Sequence, residues 1–448
     1  MKGYRWSLVA AFVVTLIQGA AASAAPNTQS TTPIKHVVVV IQSGHSFDNY
    51  FGTYPGADGI PAGTCVPVDP TKTSSQDCVK PFHIGSDDVA PSSLDDSLAT
   101  ANSQYNGGAM DGFVSALNQR NQDGRLAMGY YDGTDIPYYW NLADQYVLFD
   151  HFFSSAKGGG SVNRLFAIAA NSAGSAAESP DINGIATIFD RLQQAGIAWK
   201  FYIQNYDPNL NYRTVNQYAS NRASQVASIP LLSIDRFIDD PQLASHLVNL
   251  DQYDVDLANG TLPAVSYVIA SGPGEHPPTS IQSGEQFVHS LLQSLMISSS
   301  WGSSAFMLTY DDWGGWYDHV SPPQVDASGL GFRVPALLVS PYAKQGFVDH
   351  TQLDTTSILK FIEENYGLLP LSNRDANAND LSSAFDFGQA PRAAALVSVD
   401  RQTVVPRAVP RRFVIYLAYG AAFLATLASF GWVGIMRRRK LQIPEAVS

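Results

Sequence analysis

Thr309-Tyr-Asp-Asp-Trp-Gly-Gly-Trp-Tyr-Asp-His-Val320 follows directly on an apolar run, Ala305-Phe-Met-Leu308. The run reads as a buried strand, and two adjacent carboxylates, Asp311 and Asp312, stand at its end. Acids at the carboxyl end of a core strand lie where open α/β sheets place their ligands. Neighbouring carboxylates repel each other, so the pair calls for a cation or a shared proton. The alternative is a solvated turn with chance acids. Trp313, Trp316 and Tyr317 weigh against it, because they make apolar surroundings for charge.

Working outward, Ile34-Lys-His-Val-Val-Val-Val-Ile41 is a continuous β-branched run that suits a fully buried parallel strand. Residues 198–202, 264–269 and 336–340 read as further strands, and 185–194, 286–297 and 355–366 as helices. Strands alternating with helices predict an α/β fold, with a mostly parallel central sheet covered by helices on both faces. No internal repeat interrupts the span 25–390, which is expected to be the main domain. Residues 391–412, with Pro406 and Pro410, read as a linker.

The ends carry addresses. Lys2 and Arg5 precede an apolar run, and Ala22-Ser23-Ala24 offers a cleavage site, so 1–24 reads as a secretory signal peptide. The uncharged stretch 413–436 is long enough to cross a bilayer, and Arg437-Arg-Arg-Lys440 closes it as a cytoplasmic flank does. A buried core helix is the alternative for that stretch. The expected arrangement is a single-pass protein of the cell membrane, with an extracytoplasmic domain and a cytoplasmic tail at 437–448. A net charge of -12 argues against a nucleic-acid or anionic-lipid docking surface. Cys65 and Cys78, in an oxidising compartment, read as one disulfide, with two free thiols as the alternative.

Polar residues gather after several of these strands: Ser43, His45 and Asp48; Glu275 and His276; Asp311 and Asp312; and Asp349 with His350. Their convergence on one sheet edge is the geometry of an active site. His319 belongs to the same group or orients the turn that carries it. His36, His83, His151, His246 and His289 read as structural. Gly158-Gly-Gly-Ser-Val-Asn-Arg164 leads into an apolar helix-like run. A glycine-rich loop at a helix start presents free N–H groups and a positive dipole end, which suits a phosphate. Ser161 and Arg164 would face it, unless Ser161 is a plain N-cap.

Ordered motifs now accumulate: Ser46-Phe-Asp-Asn-Tyr-Phe-Gly52, Asn106-Gly-Gly-Ala-Met-Asp-Gly-Phe113, Met128-Gly-Tyr-Tyr-Asp-Gly-Thr-Asp-Ile-Pro137, Glu275-His-Pro-Pro278 and Arg333-Val-Pro-Ala-Leu-Leu-Val-Ser-Pro341. With the 309–320 segment they make the chain resemble the phosphoesterase family of bacterial phospholipases C, plant non-specific phospholipases C and related acid phosphatases. The resemblance spans about residues 34–388 and implies an alkaline-phosphatase-like fold. It also implies attack by a hydroxyl on phosphorus, a covalent phospho-enzyme, activation by a divalent metal ion or carboxylate, and a His assisting the leaving group.

The family's Glu-Asn-Arg before Ser-Phe-Asp is Ser43-Gly44-His45 here. Its nucleophile position falls on Gly160, with Ser161 displaced by one. Its Asp-Glu pair appears as Asp311-Asp312, while His276, Asp318, His319 and His350 match. The resemblance thus points to Ser161, His276, His319 and His350 for catalysis, Asn163 and Arg164 for substrate binding, and Asp311 and Asp312 for the metal. His45, by its position beside the missing pair alone, is a further catalytic candidate as a nitrogen ligand or base. The expected substrate is a phosphate ester or phospholipid. Two functions remain: a membrane-anchored phosphoric-ester hydrolase of phospholipase C or acid phosphatase type with a remodelled centre, or an inactive pseudoenzyme serving as a surface binding or scaffold protein.

Overall fold

The structure is a computed structural model that describes residues 30–72, 77–85, 93–172, 182–217, 220–270, 275–276 and 279–401. The signal-peptide and membrane-span readings, 1–24 and 413–436, lie outside the described residues. Among the described residues, no helix is long and apolar enough to cross a membrane.

In chain order the central sheet contains His36–Gln42 (β1), Val147–Phe149 (β2), Trp199–Ile203 (β3), Leu247–Asn249 (β4), Val265–Ile269 (β5), Ser304–Tyr310 (β6), Ala336–Val339 (β7) and Phe347–Asp349 (β8). Side by side the order is β8-β2-β7-β6-β1-β5-β3-β4. Only β7 runs antiparallel to its neighbours, β6 and β2. β1 is central because its four valines and Ile41 are buried on both faces, flanked by parallel β5 and β6.

The covering helices are Phe47–Phe51 (α1), Pro137–Gln145 (α2), Gly160–Ala169 (α3), Ile188–Ala195 (α4), Asp251–Asn259 (α5), Ile281–Ile297 (α6) and Thr355–Tyr366 (α7). Adjacent residues of β3 show the two faces, since successive strand side chains point oppositely. Phe201 meets Phe189 of α4 at 5.7 Å between rings, and Tyr202 meets Tyr253 of α5 at 5.4 Å. α3 joins the first face through the Tyr267 hydroxyl, which donates to Ala167 O at 3.0 Å. α6 joins the second through Tyr253, whose hydroxyl donates to Leu291 O at 3.4 Å. The expected α/β architecture is present, and α7 has the bounds that its apolar pattern predicts.

The sequence reading differs in three respects. β2, β4 and β8 have three residues each, too few to establish a period, and were not anticipated. β7 is antiparallel, a direction its apolar run does not encode. Residues 391–401, read as the start of a linker, lie against the domain: Trp301 Nε1 donates to Arg392 O at 3.0 Å, and Arg401 pairs with Asp144 at 2.8 Å. Cys65 and Cys78 form the expected disulfide, with Cα atoms 5.4 Å apart.

Candidate active site

β1 and β6 end side by side, and Asp311 N donates to Gln42 O at 3.0 Å. The chain then turns through Gly314, whose φ is +62° and where a Cβ would stand 2.0 Å from Gly44 O. Only glycine permits both the backbone conformation and that approach. The fold-back leaves Asp311 and Asp312 at the floor of a pocket of about 510 Å³. Its walls include Ser43, Asp96, Gly160, Ser161, Arg164 and His276.

The glycine-rich loop enters from the other side. α3 starts at Gly160, and buried Asn163 ties the loop down: its Oδ1 accepts from Ala156 N at 2.8 Å, and its Nδ2 donates to Ala156 O and Gly158 O, each at 3.2 Å. A Cβ on Gly160 would lie 2.2 Å from Asp311 Oδ2 and 3.3 Å from Asp312 Oδ2, so the first turn of the helix rests its backbone directly on the acid pair. One turn later Arg164 brings Nη2 within 2.7 Å of Asp311 Oδ2. The contact is close enough for an ion pair but not aligned as a hydrogen bond: among the described residues, both oxygens of buried Asp311, and Nε of Arg164, have no hydrogen-bond partner.

Burial, then the charges of Asp311 and Asp96, push the Asp312 carboxyl well above its usual range. Gly314 N donates to its Oδ1 at 2.9 Å. Unsatisfied buried carboxylate oxygens beside a second carboxylate are a hard-oxygen donor set of the kind that suits Mg²⁺, Mn²⁺ or Ca²⁺. The pair offers a cation two protein carboxylates. One of them, Asp311, is already met by Arg164 at 2.7 Å, so a bound ion would share Asp311 with the guanidinium. Three-donor groupings among the described residues occur elsewhere, at Asp48–Asp318–His319 and at His83–Asp132–Asp135. At the first, fully buried Arg333 already neutralises the acids, with Nε 2.9 Å from Asp318 and Nη2 3.1 Å from Asp48.

The structure brings Ser161, Arg164, His276, Asp311 and Asp312 to one pocket. The His276 ring lies under the backbone of Gly44, and its Nε2 is 3.3 Å from Ser93 Oγ and 3.8 Å from Asp96 Oδ2. Four other expected site residues lie elsewhere. His45 is fully buried, with Nδ1 2.6 Å from Asn49 Oδ1, Nε2 3.0 Å from Glu275 O and its ring stacked on Tyr50. Burial lowers its pKa to about 4, and it offers no nitrogen to the pocket. Asn163 brackets the loop and has no amide group left to reach a substrate.

His319 and His350 sit along the same sheet edge but line no part of this pocket. His319 Nδ1 is 2.8 Å from Asp48 and its Nε2 is 3.4 Å from Asp58. Burial works against its charge, but the bond to Asp48 outweighs it and raises the His319 pKa. His350 pairs with buried Asp150 at 2.8 Å, with its own side chain 62% exposed. Asp96 is the charged pocket residue that sequence reasoning missed, along with Ser224, Ser228 and Thr279. Asp96 comes from an irregular segment just before a short helix, with no strand to mark it.

Comparison with known proteins adds the family. The Phosphoesterase family matches residues 34–369. Phospholipase C B of Mycobacterium tuberculosis is 28% identical, over 82% of this chain and 80% of that protein. The non-hemolytic phospholipase C of Pseudomonas aeruginosa is 27% identical over 79% of this chain, which spans 57% of that protein. Non-specific phospholipase C6 of Arabidopsis thaliana is 27% identical over 86% of this chain and 77% of that protein. Among solved structures, a protein of the alkaline phosphatase superfamily from Vibrio parahaemolyticus aligns over 81% of this chain and 72% of its own, at 12% identity and a TM-score of 0.36. The family match runs from β1 to α7 and takes in both the acid pair and the glycine-rich loop: the chain belongs to the Phosphoesterase family.

Proposed function

We propose that the protein is a phosphoric-ester hydrolase of phospholipase C or acid phosphatase type, working through a remodelled centre. The observation that carries this reading is the contact of the α3 N-terminus and Arg164 with the Asp311–Asp312 pair. Free N–H groups of the first helical turn and the guanidinium hold a phosphate. Ser161, exposed at the pocket rim, is the hydroxyl nearest in sequence to Gly160 and attacks phosphorus. As the Oγ–P bond forms, the Ser161 proton passes to the Asp311–Asp312 pair and the bond from phosphorus to the substrate's alcohol oxygen breaks. His276 gives its proton to that departing alkoxide. Water then cleaves the bond to Ser161, releasing phosphate from a monoester or a phosphomonoester from a phospholipid and restoring the hydroxyl. A divalent cation at Asp311 and Asp312 would supply charge neutralisation at the phosphoryl oxygens.

The substrate's alcohol is apolar in this reading. A trough of about 360 Å³, bounded by Leu165, Ile182, Val215, Val226 and Pro230, shares Ser161 and Ala227 with the acid pocket. Phospholipid or a comparable ester fits that continuity, and the names of the relatives agree. The sequence features at 1–24 and 413–436 support an exported domain tethered to the cell membrane by one helix. A second reading, an inactive phosphate-ester-binding pseudoenzyme, is favoured by one observation: Gly160, the residue packed on the acids, has no hydroxyl.

Turnover of 4-nitrophenyl phosphate and 4-nitrophenyl phosphorylcholine by the full chain in detergent, with and without Mg²⁺, Mn²⁺ or Ca²⁺, decides between them. Activity lost in Ser161→Ala and in Asp311→Asn/Asp312→Asn supports the hydrolase and its nucleophile. No turnover above those variants, with either substrate and any metal, transfers the conclusion to the pseudoenzyme.

A further inference from the structure

We propose that Glu275 is a positioning residue, which with Tyr50, Tyr139 and Tyr310 fixes His276 relative to the Asp311–Asp312 pair. Glu275 is fully buried, and three tyrosyl hydroxyls donate to its carboxylate. Tyr50 of α1 donates to Oε2 at 2.8 Å, Tyr310 at the end of β6 donates to the same oxygen, and Tyr139 of α2 donates to Oε1. Burying a carboxylate is costly unless its oxygens are hydrogen-bonded, and here three separate elements bond it. Gly284 of α6 packs so closely that a Cβ there would stand 2.0 Å from Glu275 Cγ. The Glu275 carbonyl is held as well, 3.0 Å from His45 Nε2.

Chain order gives the cradle its purpose. Glu275 directly precedes His276, and Tyr310 directly precedes Asp311. The buried Tyr310–Glu275 bond is therefore a strut one residue behind the pocket wall on each side. It sets the distance between the ring that would protonate a leaving group and the acids that would hold a cation. His45, which lies outside the pocket, gains a role here through Asn49 and the Glu275 carbonyl. A fold anchor alone would not need to join these two chain positions. The role in turnover rests on the reading of His276 as leaving-group acid; the role in placing its ring does not.

The test compares Glu275→Gln, Tyr310→Phe and Tyr139→Phe in the full chain, each Tyr variant removing a single hydroxyl so that a folded protein remains if Glu275→Gln unfolds. The first readout is NMR of ¹⁵N-labelled histidine rings, with His276 identified by His276→Gln. The His276 ring resonances are expected to move in all three variants, while those of exposed His350 stay in place. The second readout is the leaving-group dependence of kcat. An alkyl phosphate, whose alkoxide needs a proton, should lose about tenfold or more, and 4-nitrophenyl phosphate much less, with KM changed less than kcat.

Unmoved His276 resonances in folded Tyr310→Phe and Tyr139→Phe overturn the proposal. Equal loss for both leaving groups overturns its catalytic part. A wild type without turnover defeats the hydrolase reading and leaves the NMR result to decide the positioning.

Discussion

Arg164 Nη2 lies 2.7 Å from Asp311 Oδ2, beside the backbone gap that Gly160 leaves by having no side chain. The two features depend on each other. Asp311 fills the space in which a side chain at position 160 would sit, and its charge there is met by a guanidinium one helical turn further on. Neither oxygen of Asp311 has another donor, so Arg164 is its main electrostatic partner among the described side chains.

Replacing Arg164 with Ala should therefore strip a buried carboxylate of its counter-charge. Breaking one side of a buried pair costs about 3 kcal/mol or more, because the remaining ion keeps its desolvation penalty. The expected outcome is a loss of that order in urea denaturation. Inorganic phosphate should bind at least about tenfold more weakly by calorimetry, given the strength of guanidinium–phosphate bonds. Arg164→Lys should recover part of the stability and less of the binding, since a point charge replaces a planar fork. Unchanged stability in Arg164→Ala would mean that Asp311 is neutralised by other means.

Gly160→Ala tests the same contact from the other side. By helix propensity alone, alanine at this place should stabilise by up to about 1 kcal/mol. The new Cβ, however, would stand 2.2 Å from Asp311 Oδ2. Overpacking of that kind costs about 1–3 kcal/mol, and the clash should win. The variant is expected to unfold at lower urea and to lose turnover together with Arg164 pairing. A more stable variant would show that Asp311 has room to leave.

How much of this was readable beforehand follows from which signals are local. β1, β6 and α7 announce themselves by runs of buried residues, and Asp311, Asp312, Ser161, Arg164 and His276 are placed by the strand ends and loop they follow. Asn163 and His45 turn away from the pocket, which sequence does not show, because it does not fix the direction of a side chain at the start of a helix or after a strand. His319 and His350 do lie on the carboxyl edge. β8 and β2, however, are separated from β6 by antiparallel β7, and that lateral order is set by sheet pairing between distant segments. Asp96 carries no periodic or motif signal, and the motif that opens at Arg333 does not show its guanidinium buried against Asp48 and Asp318; tertiary contact reveals both.

Arg333 offers a prediction independent of the pocket. Its guanidinium is fully buried, pairs with Asp48 and Asp318, and stacks 4.6 Å from the Phe47 ring. Arg333→Met keeps much of the bulk but leaves two carboxylates in apolar surroundings. The expected cost is about 3–5 kcal/mol in denaturant unfolding. Adding Asp48→Asn and Asp318→Asn should restore a large share, because the penalty belongs to the orphaned charges. Failure of that triple variant to recover stability would assign the effect of Arg333 to packing on Phe47.

Stability should fall as pH rises from about 5.5 to 8.5. Burial pushes the Glu275 pKa up to about 7 despite its three tyrosyl donors, and burial pushes Glu285 up to about 8. Both carboxyls titrate near the ordinary glutamate value of 4.5 when the chain is unfolded. A raised folded pKa means that the fold favours the protonated form. The stabilisation is thus complete below the unfolded value and is lost as pH climbs through 7 to 8. A shift of that size for Glu275 alone corresponds to about 3 kcal/mol in all, of which about 2 kcal/mol falls between about pH 5.5 and 8.5. The Glu285 contribution is not simply additive because the two charges interact. Asp190 and Asp256, whose pKa values are lowered, act only in the acid range. Asp318, raised to about 6, and Glu363, raised to about 9, add to the loss, whereas His45, lowered from 6.5 to about 4, opposes it below about 6.5. The difference between wild type and Glu275→Gln therefore isolates Glu275. Urea midpoints of wild type and Glu275→Gln at both pH values measure the effect. The wild type should lose stability between them and the variant should lose markedly less; parallel curves would remove Glu275 as the source.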